Sequence, residues 1–253
     1  MFAKFTLGSL YLMIQHRSAI LKGVILPLIL YILLQLVRYG SAYTGFSYGS
    51  ASSLLYILFF VADMAILAMI SINTTRTILL DEQPEPFKLK FKRRETRYLL
   101  YSIGFLALWI IPSMFIGASL TLIMYNILMG VIPLTFFLVT LFFTLRLSLI
   151  FVGVALDRSI SLRESLNMTK NCQWSLFFSL ALLIALLFIF EYCIELFSSL
   201  VGGQLFSLIS FALITPLVNT FIYVFTAIIL TILYSNAYQP TDSPQAESAG
   251  DAQ

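Results

Sequence analysis

Charge is what this chain has least of. Acidic and basic side chains make up 11% of its 253 residues, against about 25% in an ordinary globular protein. Histidine occurs once, as His16, and cysteine twice, as Cys172 and Cys193. Two thiols 21 residues apart make neither a disulfide framework nor a zinc site; they read as small apolar fillers. A lone imidazole beside Arg17, with no carboxylate or thiol to work with, reads as an interfacial polar residue. No nucleophile elbow, phosphate-cradling glycine loop or metal-ligand cluster occurs, and Gly202-Gly203 reads as a turn. The expectation is therefore a non-enzymatic chain with no cofactor, no metal and no catalytic residue. Fifteen Lys and Arg against 12 Asp and Glu leave a net charge of only +3, so nucleic acid is not an expected partner.

What remains is apolar. Hydrophobic residues are 60% of the chain and the mean hydropathy is +0.94. A soluble fold of this length could not hide that surface, so lipid must be the solvent for much of it. Spans of about 20 apolar residues cross the hydrocarbon core, and six segments qualify: 19–39, 50–72, 98–122, 127–153, 175–198 and 206–234. Ahead of the first, Phe2 to Arg17 suits an interfacial helix. Its long apolar run, with no small-x-small cleavage site, predicts an uncleaved signal anchor. The expected organisation is an interfacial helix over 1–18, a six-span domain over 19–234 and a disordered cytoplasmic tail over 235–253.

Cytoplasmic loops collect Lys and Arg. With the N-terminus inside, thirteen basic residues fall in inner segments, Arg38 alone falls outside and Arg146 lies within a span. This predicts both termini in the cytoplasm. Short outer turns at Tyr125-Asn126 and Val201 to Leu205 predict three antiparallel hairpins. Span starts at 19, 98 and 175 are 79 and 77 residues apart, each preceded by a polar or amphipathic segment, which suggests a threefold unit.

Four ionisable residues fall inside spans: Asp63, Arg146, Glu191 and Glu195. A charge in mid-bilayer is expensive and must face protein or water. Helical rise puts Asp63 ~3 Å and Arg146 ~9 Å to the cytoplasmic side of the midplane, an axial gap of ~6 Å. A long arginine could bridge that gap, either as a buried pair fixing register or as a gate. Glu191 and Glu195, one turn apart on the outer half of their span, read either as interfacial carboxylates or as a proton-handling pair. Pro216, flanked by Thr215, Asn219 and Thr220, reads as a kink or as a broken transport helix. At the inner surface, Lys88, Lys90, Lys92, Arg93, Arg94 and Arg97, interleaved with Phe87, Leu89 and Phe91, read as positive-inside bias or an anionic-lipid contact. The tail, with Pro240, Pro244, Asp242, Glu247 and Asp251, reads as disordered or as a partner-docking peptide.

One stretch carries a wider pattern: Arg146-Leu-Ser, Ala155-Leu-Asp157, Ser161, Glu164-Ser165-Leu166, Thr169-Lys170 and Trp174. It resembles the YciC-type bacterial inner-membrane proteins and the related membrane domain attached to some glycerophosphodiester phosphodiesterases. Ser165 stands where that group usually has Ala, and Asn167-Met168 replaces a common Ser-aromatic pair. The resemblance implies an integral membrane protein, all-α, and carries no hydrolytic chemistry, since the phosphodiesterase catalytic domain is not in this sequence. The expected role is to organise or support the envelope through contacts with membrane lipids, anionic ones included, and with a membrane-protein partner. The alternative is a small-molecule or lipid translocase using Asp63, Arg146 and Glu191.

Overall fold

In a computed structural model the described residues are 2–43, 52–85, 93–123, 127–170, 172–201 and 209–237. The expectations for Lys88, Lys90 and Lys92, for the turns at Tyr125-Asn126 and Gly202-Gly203, and for the tail beyond 237 lie outside them. The helices in chain order are α1 (Phe2–Gln15), α2 (Arg17–Tyr43), α3 (Ser52–Leu80), α4 (Arg93–Ile123), α5 (Ile127–Arg146), α6 (Leu149–Ala155), α7 (Leu162–Met168), α8 (Gln173–Val201) and α9 (Thr215–Ala237). Among the described residues there is no strand. Among the described residues five segments are long and apolar enough to cross a membrane: Arg17–Gly40, Leu55–Leu80, Met129–Ala155, Gln173–Phe197 and Ser210–Ala237. The remaining expected span lies within α4, a single helix of 31 residues.

The hydrophobic pattern accounts for these helices, and local chemistry accounts for their ends and bends. α3 runs to Leu80, well past the expected limit at 72, because its polar last turns face protein. Thr74, Thr75 and Thr77 are buried, Thr74 Oγ1 donates back to Ile70 O at 2.8 Å, and Asn73 Nδ2 donates to Gly23 O on α2 at 2.8 Å. The helix stops where Asp81 takes a left-handed φ of 48°, with Pro84 close behind, a common way to end a helix. The α5–α6 span bends at Leu147-Ser148. There Leu147 N bonds Thr144 O and Ser148 N bonds Leu145 O, at 3.1 and 3.2 Å, a tightened three-residue turn. Ahead of Pro216 the chain widens into a π-helical turn, Ser210–Ile214. Pro216 has no N–H to offer Ala212 O, and Thr215 Oγ1 bonds Ser210 O at 3.4 Å instead.

α9 is the hub. One buried cluster joins Leu145, Leu149, Leu176, Ile229 and Leu233 from α5, α6, α8 and α9. A second joins Ile20, Val24, Ile66, Ile70 and Ile228 from α2, α3 and α9. α2 packs closely on α3, and α4 on α5, as hairpin partners should; α9 packs more extensively on α3 than on α8. α1 docks on α9 and α8, with Ser9 fully buried and Gly8 passing Ile232. Large apolar side chains such as Leu33, Ile57, Leu100, Ile132 and Phe188 point outward, a surface made for lipid rather than water.

Candidate functional site

The intramembrane charges do not converge. Asp63 turns toward α2, where Gln35 Nε2 donates to Oδ1 at 2.9 Å and Arg38 approaches Oδ2 at 3.5 Å. The guanidinium of Arg38 also lies 5.9 Å from the Tyr39 ring centroid and 6.0 Å from that of Tyr56. The expected Asp63–Arg146 pair is therefore corrected to Asp63–Arg38. Arg38, read from sequence as an outer-loop residue, sits on α2 because that helix continues to Tyr43. Helical rise gives depth but not direction around the axis, and Asp63 points away from α5. Gln35 and Arg38, three residues apart on one helix face, were the overlooked signal.

Arg146 instead fastens the end of α5 to the short helix α7. Its Nε donates to Thr169 Oγ1 at 3.1 Å and its Nη2 to Leu166 O, where a cation complements the carbonyl end of a helix. Ser165 Oγ returns a bond to Arg146 O at 2.8 Å, and Ser165 and Thr169 are fully buried. A capping box starts α7, with Glu164 N donating to Ser161 Oγ at 3.2 Å and Ser161 N to Glu164 Oε2 at 3.4 Å, as the Ser-x-x-Glu spacing allows. Trp174 stacks on Phe178 and tilts against Phe142, with centroids 6.1 and 5.3 Å apart.

A second knot closes the same end of the bundle. Arg76 on α3 donates to Ala155 O at 3.2 Å, pairs with Glu82 and approaches Asp157 Oδ2 at 3.4 Å. Arg94 on α4 meets the same oxygen at 3.4 Å and holds the buried Glu95 at 2.8 Å. Asp157 has a left-handed φ of 59°, and Gly153 lets Ile160 fold back: a Cβ there would lie 2.6 Å from Ile160 Cδ1 and 3.2 Å from Arg158 O. A polar cleft of about 80 Å³ adjoins this knot, lined by Lys22, Arg76 and Arg94 together with Glu82, Glu85 and Glu95. Of the described basic residues, Arg94 is thus internal, whereas Arg93 and Arg97 are exposed. On α8, Glu195 is exposed and Glu191 half-buried.

The bundle also holds space that sequence reasoning did not anticipate. A cavity of about 340 Å³ lies among α3, α4, α6, α8 and α9, lined mainly by apolar groups such as Leu67, Leu106, Leu183 and Ile222, with Ser71, Tyr98 and Ser148 among its few polar ones. A groove of about 400 Å³ runs along α4 and α6 to Leu162 of α7. Phe105 and Phe151 line both spaces, their rings edge to face at 5.2 Å. Among the described residues no group of three or more His, Cys, Asp or Glu could hold a metal ion. No family model, curated protein or solved structure matches the chain.

Proposed function

We propose that this is a six-span bacterial inner-membrane protein, both termini cytoplasmic, that works without catalysis by holding membrane lipid and a membrane-protein partner. In this reading it supports the envelope as a relative of the YciC-type proteins. The basic end bearing Arg76, Arg93, Arg94 and Arg97 faces the cytoplasm, in keeping with the loop charge bias. The observation that carries the reading is the cavity of about 340 Å³. The space is only partly enclosed and lined mainly by apolar groups, and such a space does not hold water well. In a bilayer the filler at hand is an acyl chain. The translocase alternative lacks such support, because Asp63 and Arg146 are each bound to different partners, and α8 keeps Glu191 apart from both. Purification in mild detergent, followed by extraction and mass spectrometry, should recover phospholipid at a fixed ratio near one or more per chain. A protein stripped of lipid by mild detergent yet fully folded would overturn the proposal.

A further inference from the structure

We propose that the outer face of α4 and α6 is a binding site for one anionic phospholipid of the cytoplasmic leaflet, with its phosphate on Arg93 and Arg97 and an acyl chain lying over Gly104. This rests on the lipid-holding reading above and adds to it the class of lipid and the place it occupies.

Three observations meet on this face. The first is the groove itself, about 400 Å³ between Tyr101, Gly104 and Leu108 of α4 and Ile150 and Phe151 of α6, with Leu162 of α7 also on its lining. The second is Gly104. Glycine inside a helix is destabilising relative to alanine, and other helical glycines here answer a close approach: Gly23 meets Pro84 and Asn73, and Gly153 meets Ile160. A Cβ on Gly104 would touch nothing within 4 Å, so helix packing does not explain it. Its bare backbone makes the floor of the groove. Gly40, where an added Cβ would also touch nothing within 4 Å, lies in the last turn of α2, where glycine is at home.

The third observation is charge. Arg93, Arg97, Tyr101, Gly104 and Leu108 follow one another at steps of three or four, which places them on one helix face. Arg93 and Arg97 are exposed and make no hydrogen bond or ion pair with the described residues. The acids nearby in sequence are spoken for: Glu95 is held by Arg94 on the far side, Asp157 by Arg76 and Arg94, and Glu164 caps α7. Two exposed guanidiniums on the helix face that continues into an apolar groove suit a phosphate, which arginine binds in a fork. The reach fits as well. From Arg97 to Leu108 the helix rises ~16 Å, close to the ~15 Å of hydrocarbon in one leaflet. A chain bound there lies against Phe105 and Phe151, the shared wall of groove and cavity.

The test reconstitutes the full-length protein into phosphatidylcholine vesicles containing a minor share of phosphatidylglycerol, re-extracts it in mild detergent and counts bound lipid by native mass spectrometry. Wild type should retain one phosphatidylglycerol, enriched several-fold over the vesicle composition. Gly104→Phe, whose Cβ would stand in open space and whose ring would occupy the groove, should lower that retention at least ~5-fold. Arg93→Gln with Arg97→Gln should keep a lipid but lose the preference for the anionic one. Leu182→Phe, on the exposed face of α8, should change neither. If Gly104→Phe does not purify as folded protein, the arginine pair decides. Unchanged phosphatidylglycerol in both variants would overturn this site while leaving the lipid-holding reading standing; a wild type that retains no lipid would overturn both.

Discussion

Removing the guanidinium of Arg146 distinguishes a membrane-buried pair from a platform fastener. Arg146→Met keeps length and apolar bulk but removes the guanidinium that donates to Leu166 O and Thr169 Oγ1, leaving Leu166 O only the Thr169 hydroxyl at 3.2 Å. A hydrogen bond to a charged group contributes about 1.5–3 kcal/mol. Two such bonds at a half-buried position, less the solvation the cation regains, give an expected loss of about 2–4 kcal/mol. Contact with the Phe142 ring, 5.9 Å from the guanidinium carbon, adds at most about 1 kcal/mol. A double-mutant cycle isolates the connection. Thr169→Val with Arg146→Met should be non-additive by about 1–2 kcal/mol, because both changes delete one bond. Asp63→Asn with Arg146→Met should add to within about 0.5 kcal/mol, since the two residues share no partner. The assay is equilibrium unfolding in mixed micelles, followed by far-ultraviolet circular dichroism. Coupling above about 1 kcal/mol between Asp63 and Arg146, with none between Arg146 and Thr169, would refute this account of the arginine.

Two further substitutions probe the same end of the bundle by the same assay. Gly153→Ala should cost about 1–3 kcal/mol, the usual penalty of overpacking, because Ile160 and the Arg158 carbonyl both crowd the new methyl; stability within error of wild type would contradict the close approach. Asp157 is largely exposed (58%), so its two ion pairs contribute only about 0–1 kcal/mol. Asp157→Gly, which suits the left-handed backbone, should therefore stay within about 1 kcal/mol of wild type, whereas Asp157→Val should lose about 2–3 kcal/mol from strain and lost pairing together. Equal effects of Gly and Val would remove the backbone from the explanation.

Hydropathy made the helices legible, since a long apolar run in a membrane has few ways to satisfy its backbone other than a helix. It was less informative where polar residues face protein. Ser71, Asn73, Thr74, Thr75 and Thr77 look like a helix running out into water, yet four of the five are buried and Asn73 reaches across to α2, so α3 is longer than its apolar run. The same blindness put Arg38 in a loop. The pairing of Asp63 failed for a different reason: a one-dimensional depth cannot tell which neighbour a side chain faces, and only packing fixes that. The cavity and groove were invisible for a related cause, since a void is a property of several helices together and no single residue announces it.

The residues behind the family resemblance turn out to share one job. Arg146, Ser165 and Thr169 tie α5 to α7, Ser161 and Glu164 start α7, Ala155 and Asp157 receive Arg76 and Arg94, and Trp174 packs on Phe142. A pattern made of fasteners says how this end of the bundle is closed and little about what the closed bundle does. Side chains already committed to one another are held in place by those bonds, and displacing them to take a ligand would cost several kcal/mol. Activity must then draw on groups the fold leaves unspent. Among the described residues those include the exposed Arg93 and Arg97, the open backbone at Gly104 and the apolar space behind Phe105 and Phe151. None of these four features belongs to the recognisable motif, so a search guided by that motif alone would pass over the surface proposed above to hold lipid.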